Sequence, residues 1–322
     1  MDALRIDAPW HLHTDVGPVI DEEARAGIAA HIQTARAECR LIHEIKTPNS
    51  GCFVAPTLIR VTGIGDLERE IFGPVLHVAT FAADELDDVS DAINATGYGL
   101  TFGLMTRIDD RVQHVSERIG AGNIYINRNQ LGAIVGSQPF GGEGLSGTGP
   151  KAGGPHYLAR FTRHDAPLSS TSWGNPTTLK LTEALGYAEP DDASTDILLP
   201  GPTGESNRLS VRARAPLLCL GPGKEAAAAQ AKAIRDLGGR AIELAGDLDA
   251  SQLETLEGFA GAIWWGDEAP ARAYTQALSR RNGPILPLIT GLPDLGHARH
   301  ERHVCVDTTA AGGNAALLGG AA

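Results

Sequence analysis

Apolar residues recur at three-to-four spacing from Ala24 through Ile28, Ile32 and Ala35 to Cys39. That is the period of a helix burying one stripe. Asp21, Glu22 and Glu23 stand just ahead of the stripe, where carboxylates complement the positive end of a helix. The runs FVAPTLIRV and VLHVATF predict strands. In DELDDVSDAIN, Leu86, Val89 and Ile93 share one helical face, and LTFGLMT predicts the next strand. DDRVQHVSERIG predicts a third helix, capped by Asp109 and stopped by Gly120, and AGNIYINR a further strand. Helix and strand signals alternating in this way predict a largely parallel sheet flanked by helices.

From 164 to 215 the pattern dissolves into a seam of Pro, Ser, Thr, Gly and Asp, with one helical patch, TTLKLTEALG. Alternation then resumes through PLLCL, EAAAAQAKAIRDLG, RAIEL, SQLETLEGF, GAIWW, EAPARAYTQALSRR and PILPLI. Four strands and three helices in about 75 residues predict a small, Rossmann-like doubly wound domain. The expected organisation is a first α/β block over 1–163, a linker over 164–215, the second domain over 216–300, and a terminal motif and tail over 301–322.

Composition narrows the partners. The chain has 322 residues, 42% hydrophobic and 20% charged, with a formal net charge of −12. No Lys/Arg block offers a basic face, which argues against nucleic acid. No apolar run approaches the length of a membrane span, and the start, MDALRIDAPWHLHTD, lacks the pattern of a signal peptide. Four cysteines without C-x-x-C spacing predict neither a zinc site nor a disulfide framework. The expected setting is cytoplasmic.

Two glycine motifs invite a nucleotide reading. Gly142-Glu143-Gly144-Leu145-Ser146-Gly147 spells G-x-G-x-x-G. The fingerprint has a mechanism only where a helix follows to receive the pyrophosphate, and TGPKAGGP cannot start one. Gly221-Pro222-Gly223-Lys224-Glu225-Ala226 sits better, between a strand and a helix, with Glu243 near the position of a ribose-binding acid. Against it, Pro222 lacks an N–H and Glu225 opposes a phosphate. The expectation is a reused fold without a dinucleotide. His297, His300 and His303 in HARHERH would share a helical face, but further metal ligands are lacking and a solvent-exposed connector is expected. Cys39, Cys52, Cys219 and Cys305 show no cationic activator in sequence and are expected to be inert thiols.

At Glu70-Ile71-Phe72-Gly73-Pro74-Val75, and again at GNIYINRNQLGAIVGSQPFGGEGLSGTGPKAGGPHYL (122–158), the chain resembles the aldehyde dehydrogenase superfamily. The branch it resembles is L-glutamate γ-semialdehyde (pyrroline-5-carboxylate) dehydrogenase, in particular the C-terminal part of the bifunctional bacterial proline utilization A enzymes. VDTTAAGGNAALL (306–318) is similar to their terminal motif. The resemblance implies an incomplete aldehyde dehydrogenase catalytic domain followed by the Rossmann-like domain. It implies NAD as cofactor, with FAD confined to a proline dehydrogenase domain outside this chain. The implied partners are a small-molecule aldehyde, the upstream remainder of the enzyme and, when complete, further copies in a homo-oligomer.

By the same resemblance, Gly132 and Ala133 anchor the carboxylate end of the aldehyde, and Phe140 packs on its aliphatic part. Glu70 would hydrogen-bond the nicotinamide ribose, and Phe72 would position the nicotinamide ring. The residue types suit these tasks. Small residues allow close backbone approach, a Gly-rich loop beside Asn127, Arg128 and Asn129 can turn N–H groups toward an anion, and one carboxylate accepts two hydroxyls. Taken without the resemblance, Glu70 belongs to a charged run (Asp66, Glu68, Arg69, Glu70) typical of a solvated turn. The family's cysteine nucleophile, glutamate base and oxyanion-binding asparagine match no position here, so no catalytic residue is assigned. The alternative reading is a non-catalytic fragment, an assembly or cavity-covering module.

Overall fold

A computed structural model describes residues 1–162, 164–168, 185, 194–244 and 246–309. The expected helical patch at 177–186, apart from Leu185, and the end of the terminal motif after 309 lie outside them. The chain divides into two compact units, Met1–Thr96 and Gly97–Ala322.

In the first unit, helix α1 spans Glu22–Ala37, and Asp21 caps it by accepting the Ala24 N–H at 2.8 Å. The stripe buries Ile28, Ile32 and Ala35, and Ile28 and Ile32 pack against Val54. Cys39 falls beyond the helix, exposed and at φ 57°, not on the apolar face where the spacing put it. The strands are β1 (Leu41–Glu44), β2 (Thr57–Arg60) and β3 (Val75–Val78), in that order across the sheet. β1 and β2 are antiparallel, β2 and β3 parallel. Helix α2 (Leu86–Ala95) closes the unit.

The second unit opens with β4 (Tyr98–Gly99), β5 (Thr101–Leu104), helix α3 (Asp109–Arg118), β6 (Asn123–Ile126) and β7 (Glu143–Gly144). Asp109 occupies the first turn of α3, and its N-cap is Ile108. The seam holds two strands, β8 (Ser194–Leu199) and β9 (Glu205–Ala213). In β9, Asn207, Leu209, Val211 and Ala213 alternate inward. This period-two signal is masked by the turn-forming composition around it. β10 (Leu217–Cys219), α4 (Gly223–Asp236), β11 (Ala241–Glu243), β12 (Gly261–Ile263), α5 (Glu268–Ser279) and β13 (Leu288–Ile289) follow. They build an all-parallel sheet of order β11-β10-β12-β13, the doubly wound arrangement expected, except that SQLETLEGF forms only a short 3-10 turn (Ala250–Glu254) in place of the third helix. Its helices bury apolar clusters on both faces, around Leu218, Trp264 and Tyr274 on one and Leu217, Ile234 and Trp265 on the other.

The chain then turns through α6 (Leu295–Ala298) into β14 (Arg299–Asp307). β14 pairs parallel with β6 and antiparallel with β9, giving a mixed sheet of order β5-β6-β14-β9-β8. The first block therefore contributes to two mixed sheets, not to one largely parallel one. HARHERH is not a solvent-exposed connector: it enters the central strand of five, where His303 is fully buried. In a strand, residues three apart face opposite sides, so His300 and His303 diverge.

Candidate functional site

The loop that follows β6 carries the expected aldehyde anchor. Its geometry begins with Tyr125 in β6, fully buried, whose hydroxyl donates to the Gly132 carbonyl at 2.7 Å. Arg128 leaves the end of the strand and turns back on the same loop. Its Nη2 donates to the Leu131 carbonyl at 2.9 Å and its Nε to the Asn129 carbonyl at 3.3 Å. The guanidinium lies 5.4 Å from the centre of the Tyr125 ring. Asn127, at φ 58°, sets the bend, and its Oδ1 accepts the Thr106 N–H at 2.9 Å.

These contacts fix which way the loop's peptide planes face. The 131–132 and 132–133 bonds are trans, and in a trans peptide the N–H points opposite to the C=O. With the carbonyls of Leu131 and Gly132 drawn toward Arg128 and Tyr125, the N–H groups of Gly132 and Ala133 face away from them. Neither N–H donates to a backbone carbonyl among the described residues, and both residues are exposed. Two successive N–H groups without a backbone acceptor on an exposed loop are the kind of donors a small anion can meet. Gly132 is required on two counts. Its φ of +135° disfavours any side chain, and a Cβ there would lie 2.9 Å from Gln138 Oε1. Phe140, half-buried, is held by an antiparallel bridge to Ala152.

Beneath the loop lies a polar network that local sequence patterns do not reveal. Glu205 accepts from Arg128 Nη1 at 2.6 Å, from Gln138 Nε2 at 2.8 Å and from Asn207 Nδ2 at 2.8 Å. Asn207 Oδ1 meets His303 Nε2 at 3.2 Å, and His303 Nδ1 faces Asn123 Nδ2 at 3.4 Å. Asn123 in turn joins the Pro139 carbonyl, the Gly141 N–H and Lys151 Nζ. Burial pushes the His303 imidazole down to about 4 and the Lys151 ammonium down to about 8. On the other face of β14, Arg302 grips Glu143 with two bonds, of 2.9 and 3.1 Å, and His300 Nε2 lies 2.9 Å from the same carboxylate. Burial alone would raise the Glu143 carboxyl, yet His300 and Arg302 hold it well below the usual carboxylate range. The apparent fingerprint at 142–147 is thus a structural turn. Gly142 is pressed against Ser146 so closely that a Cβ would come within 2.5 Å of that side chain.

Glu70 and Phe72 lie in the other compact unit. Glu70 is exposed and makes no hydrogen bond or ion pair among the described residues. Phe72 is 84% exposed.

In the second glycine motif, the first glycine is already satisfied from within the fold. Gly221 donates its N–H to Gln230 Oε1 at 3.0 Å, and its carbonyl accepts from Gln230 Nε2 at 2.7 Å and the Trp265 N–H at 3.0 Å. The first glycine of the turn thus has no free donor for a phosphate. Among the thiols, burial pushes Cys219 up to about 12 and Cys305 up to about 11. Among the described residues, no helix is long and apolar enough to cross a membrane.

The aldehyde dehydrogenase family model matches residues 1–166, and the chain belongs to that family. Against bifunctional protein PutA of Salmonella typhimurium it is 38% identical over 383 aligned positions, covering 99% of this chain and 29% of that protein. Against 1-pyrroline-5-carboxylate dehydrogenase 1 of Halalkalibacterium halodurans it is 40% identical over 164 positions, covering 48% of this chain and 30% of that protein. A solved structure of proline utilization A from Corynebacterium freiburgense is similar over 83% of this chain and 29% of its own length, with TM-score 0.56 at 27% identity. The chain thus spans less than a third of the length of these relatives.

Proposed function

We propose that this chain forms the aldehyde-anchoring part of an NAD-dependent dehydrogenase that oxidises L-glutamate γ-semialdehyde to L-glutamate in proline catabolism. The observation that carries the reading is the pair of outward N–H groups at Gly132 and Ala133, held by Tyr125 and Arg128. They suit the α-carboxylate of that substrate, and Phe140 supplies an apolar neighbour for its methylenes. When bound, NAD supplies the hydride acceptor. Glu70 would accept the ribose hydroxyls and Phe72 would lie against the nicotinamide. Relatives named for pyrroline-5-carboxylate oxidation support the substrate class.

The doubly wound block over 216–300 has, in this reading, a structural role without a dinucleotide of its own. The saturation of Gly221 by Gln230 supports that assignment.

The test is Ala133→Leu in the complete gene product. A leucine beside the anchor N–H groups crowds the incoming carboxylate while leaving the network beneath intact. KM for glutamate semialdehyde should rise by at least about tenfold, the equivalent of one hydrogen bond to a charged group, with KM for NAD little changed. Unaltered aldehyde kinetics in the folded variant would rule the anchor out.

A further inference from the structure

The anchor loop is gripped by two side chains, and both end on one carboxylate. Arg128 holds the carbonyls of Asn129 and Leu131 and reaches Glu205 with its remaining Nη1. Gln138 closes the loop's other end, where its backbone N–H and carbonyl pair with Ile134 at 2.7 and 3.2 Å, and its side-chain amide donates to Glu205. Between these two residues sits Gly132, whose Cβ position is 2.9 Å from Gln138 Oε1 and 3.3 Å from Arg128 Nη2. Glu205 opens β9, beyond the residues that the family model matches. The Arg128–Glu205 pair is largely withdrawn from water, with side chains 18% and 16% exposed.

A guanidinium in that position needs an anion. With Glu205 present, the need is met from below and Arg128 is committed to the loop carbonyls. Without it, the nearest mobile anion would be the substrate's own carboxylate, and Arg128 would turn from the loop toward it. The Leu131 carbonyl would be released, and the Gly132 N–H would lose its direction, because both belong to one peptide plane.

We propose that Glu205 is a positioning residue for the aldehyde anchor. By fixing Arg128 and Gln138 it sets the direction of the Gly132 N–H, beside the Ala133 N–H that Tyr125 directs. Through it, the β8–β9 hairpin controls the preference for carboxylate-bearing aldehydes. The proposal rests on the anchor reading above.

The experiment compares Glu205→Gln, Glu205→Asp and Ala133→Leu in the complete gene product. Two aldehydes are used, glutamate semialdehyde and propanal, which has no carboxylate to anchor. For Glu205→Gln, KM for glutamate semialdehyde should rise about tenfold, as for loss of one charge-assisted hydrogen bond. Its kcat, its KM for NAD and its kcat/KM for propanal should stay within about twofold, since no group touching the aldehyde carbon changes. Glu205→Asp, which keeps the charge, should recover part of the loss. If Glu205→Gln does not fold, Gln138→Met breaks one arm of the same clamp and should give the same selective rise. Equal losses on both aldehydes would reduce Glu205 to general structural support and overturn the proposal. So would unchanged kinetics in the clamp variants while Ala133→Leu raises KM, and in that case the anchor reading survives. If Ala133→Leu also changes nothing, both fall.

Discussion

His303 makes the stability of the second unit depend on mild acid. The surrounding amides dictate its protonation state. Asn123 spends its Oδ1 on the Gly141 N–H and Lys151 Nζ and its Nδ2 on the Pro139 carbonyl, so it presents a donor to His303 Nδ1. Asn207 spends its Nδ2 on Glu205 and the Pro200 carbonyl, so it presents an acceptor to Nε2. Only the neutral ring with its proton on Nε2 satisfies both. A proton on Nδ1 would oppose donor to donor in a site with no exposure, beside the Lys151 ammonium. Burial first, and Lys151 second, lower the imidazole from 6.5 to about 4. At about 1.4 kcal/mol per pH unit, the penalty for protonating the folded ring reaches about 3 kcal/mol.

The sign follows from which state binds the proton more readily. The unfolded chain takes it up near pH 6.5 and the folded chain only near pH 4. The contribution is therefore intact above about pH 6.5, erodes through that window and is gone below about 4. Urea unfolding followed by the fluorescence of the buried Trp264 and Trp265, run from pH 7.5 to 4, measures it. His303→Gln should be less stable than the parent at pH 7, and the gap should narrow by about 3 kcal/mol at pH 4. His300, His31 and His77, all lowered mainly by burial, contribute to both curves and cancel in the difference. Parallel curves for parent and variant would refute the assignment.

Four further outcomes are expected. Gln230→Ala strips a partner from both the N–H and the carbonyl of buried Gly221, and should cost about 1–3 kcal/mol in denaturant unfolding. Calorimetry on the same variant should show no gain of NAD binding; tight binding would mean that the turn is a masked dinucleotide site. Residues 1–322 alone should form no NADH from glutamate semialdehyde. Iodoacetamide should label exposed Cys39 well before Cys219 and Cys305, whose buried thiols are pushed far above neutral pH. Turnover lost on replacing any of the four cysteines would overturn the view that none of them is the nucleophile.

Much of the molecule is legible in the amino-acid sequence because much of it is local. Helix α1 follows from a three-to-four stripe behind Asp21, and the order of the doubly wound block follows from alternating period. The proposed roles of the Gly132-Ala133 loop and of Glu70 and Phe72 come only through resemblance to a family; locally the residues are a Gly-Ala pair and part of a charged run. Tertiary structure alone decided the rest. Nothing local marks RHERHVCVD as the centre of a sheet, because its charges contradict a buried strand until their partners are in place. Glu301 there meets the Lys151 N–H 150 residues away, and Arg302 meets Glu143 159 residues away. Arg128 likewise shows no partner in the local sequence, and Glu205 reaches it from 77 residues downstream. Periodicity and capping reach about one turn of helix or one strand, whereas whether a buried charge is tolerable depends on what the fold brings against it. The sequence by itself therefore determined where most helices and strands begin, and the tertiary structure decided which polar residues could be buried and which loop they would hold.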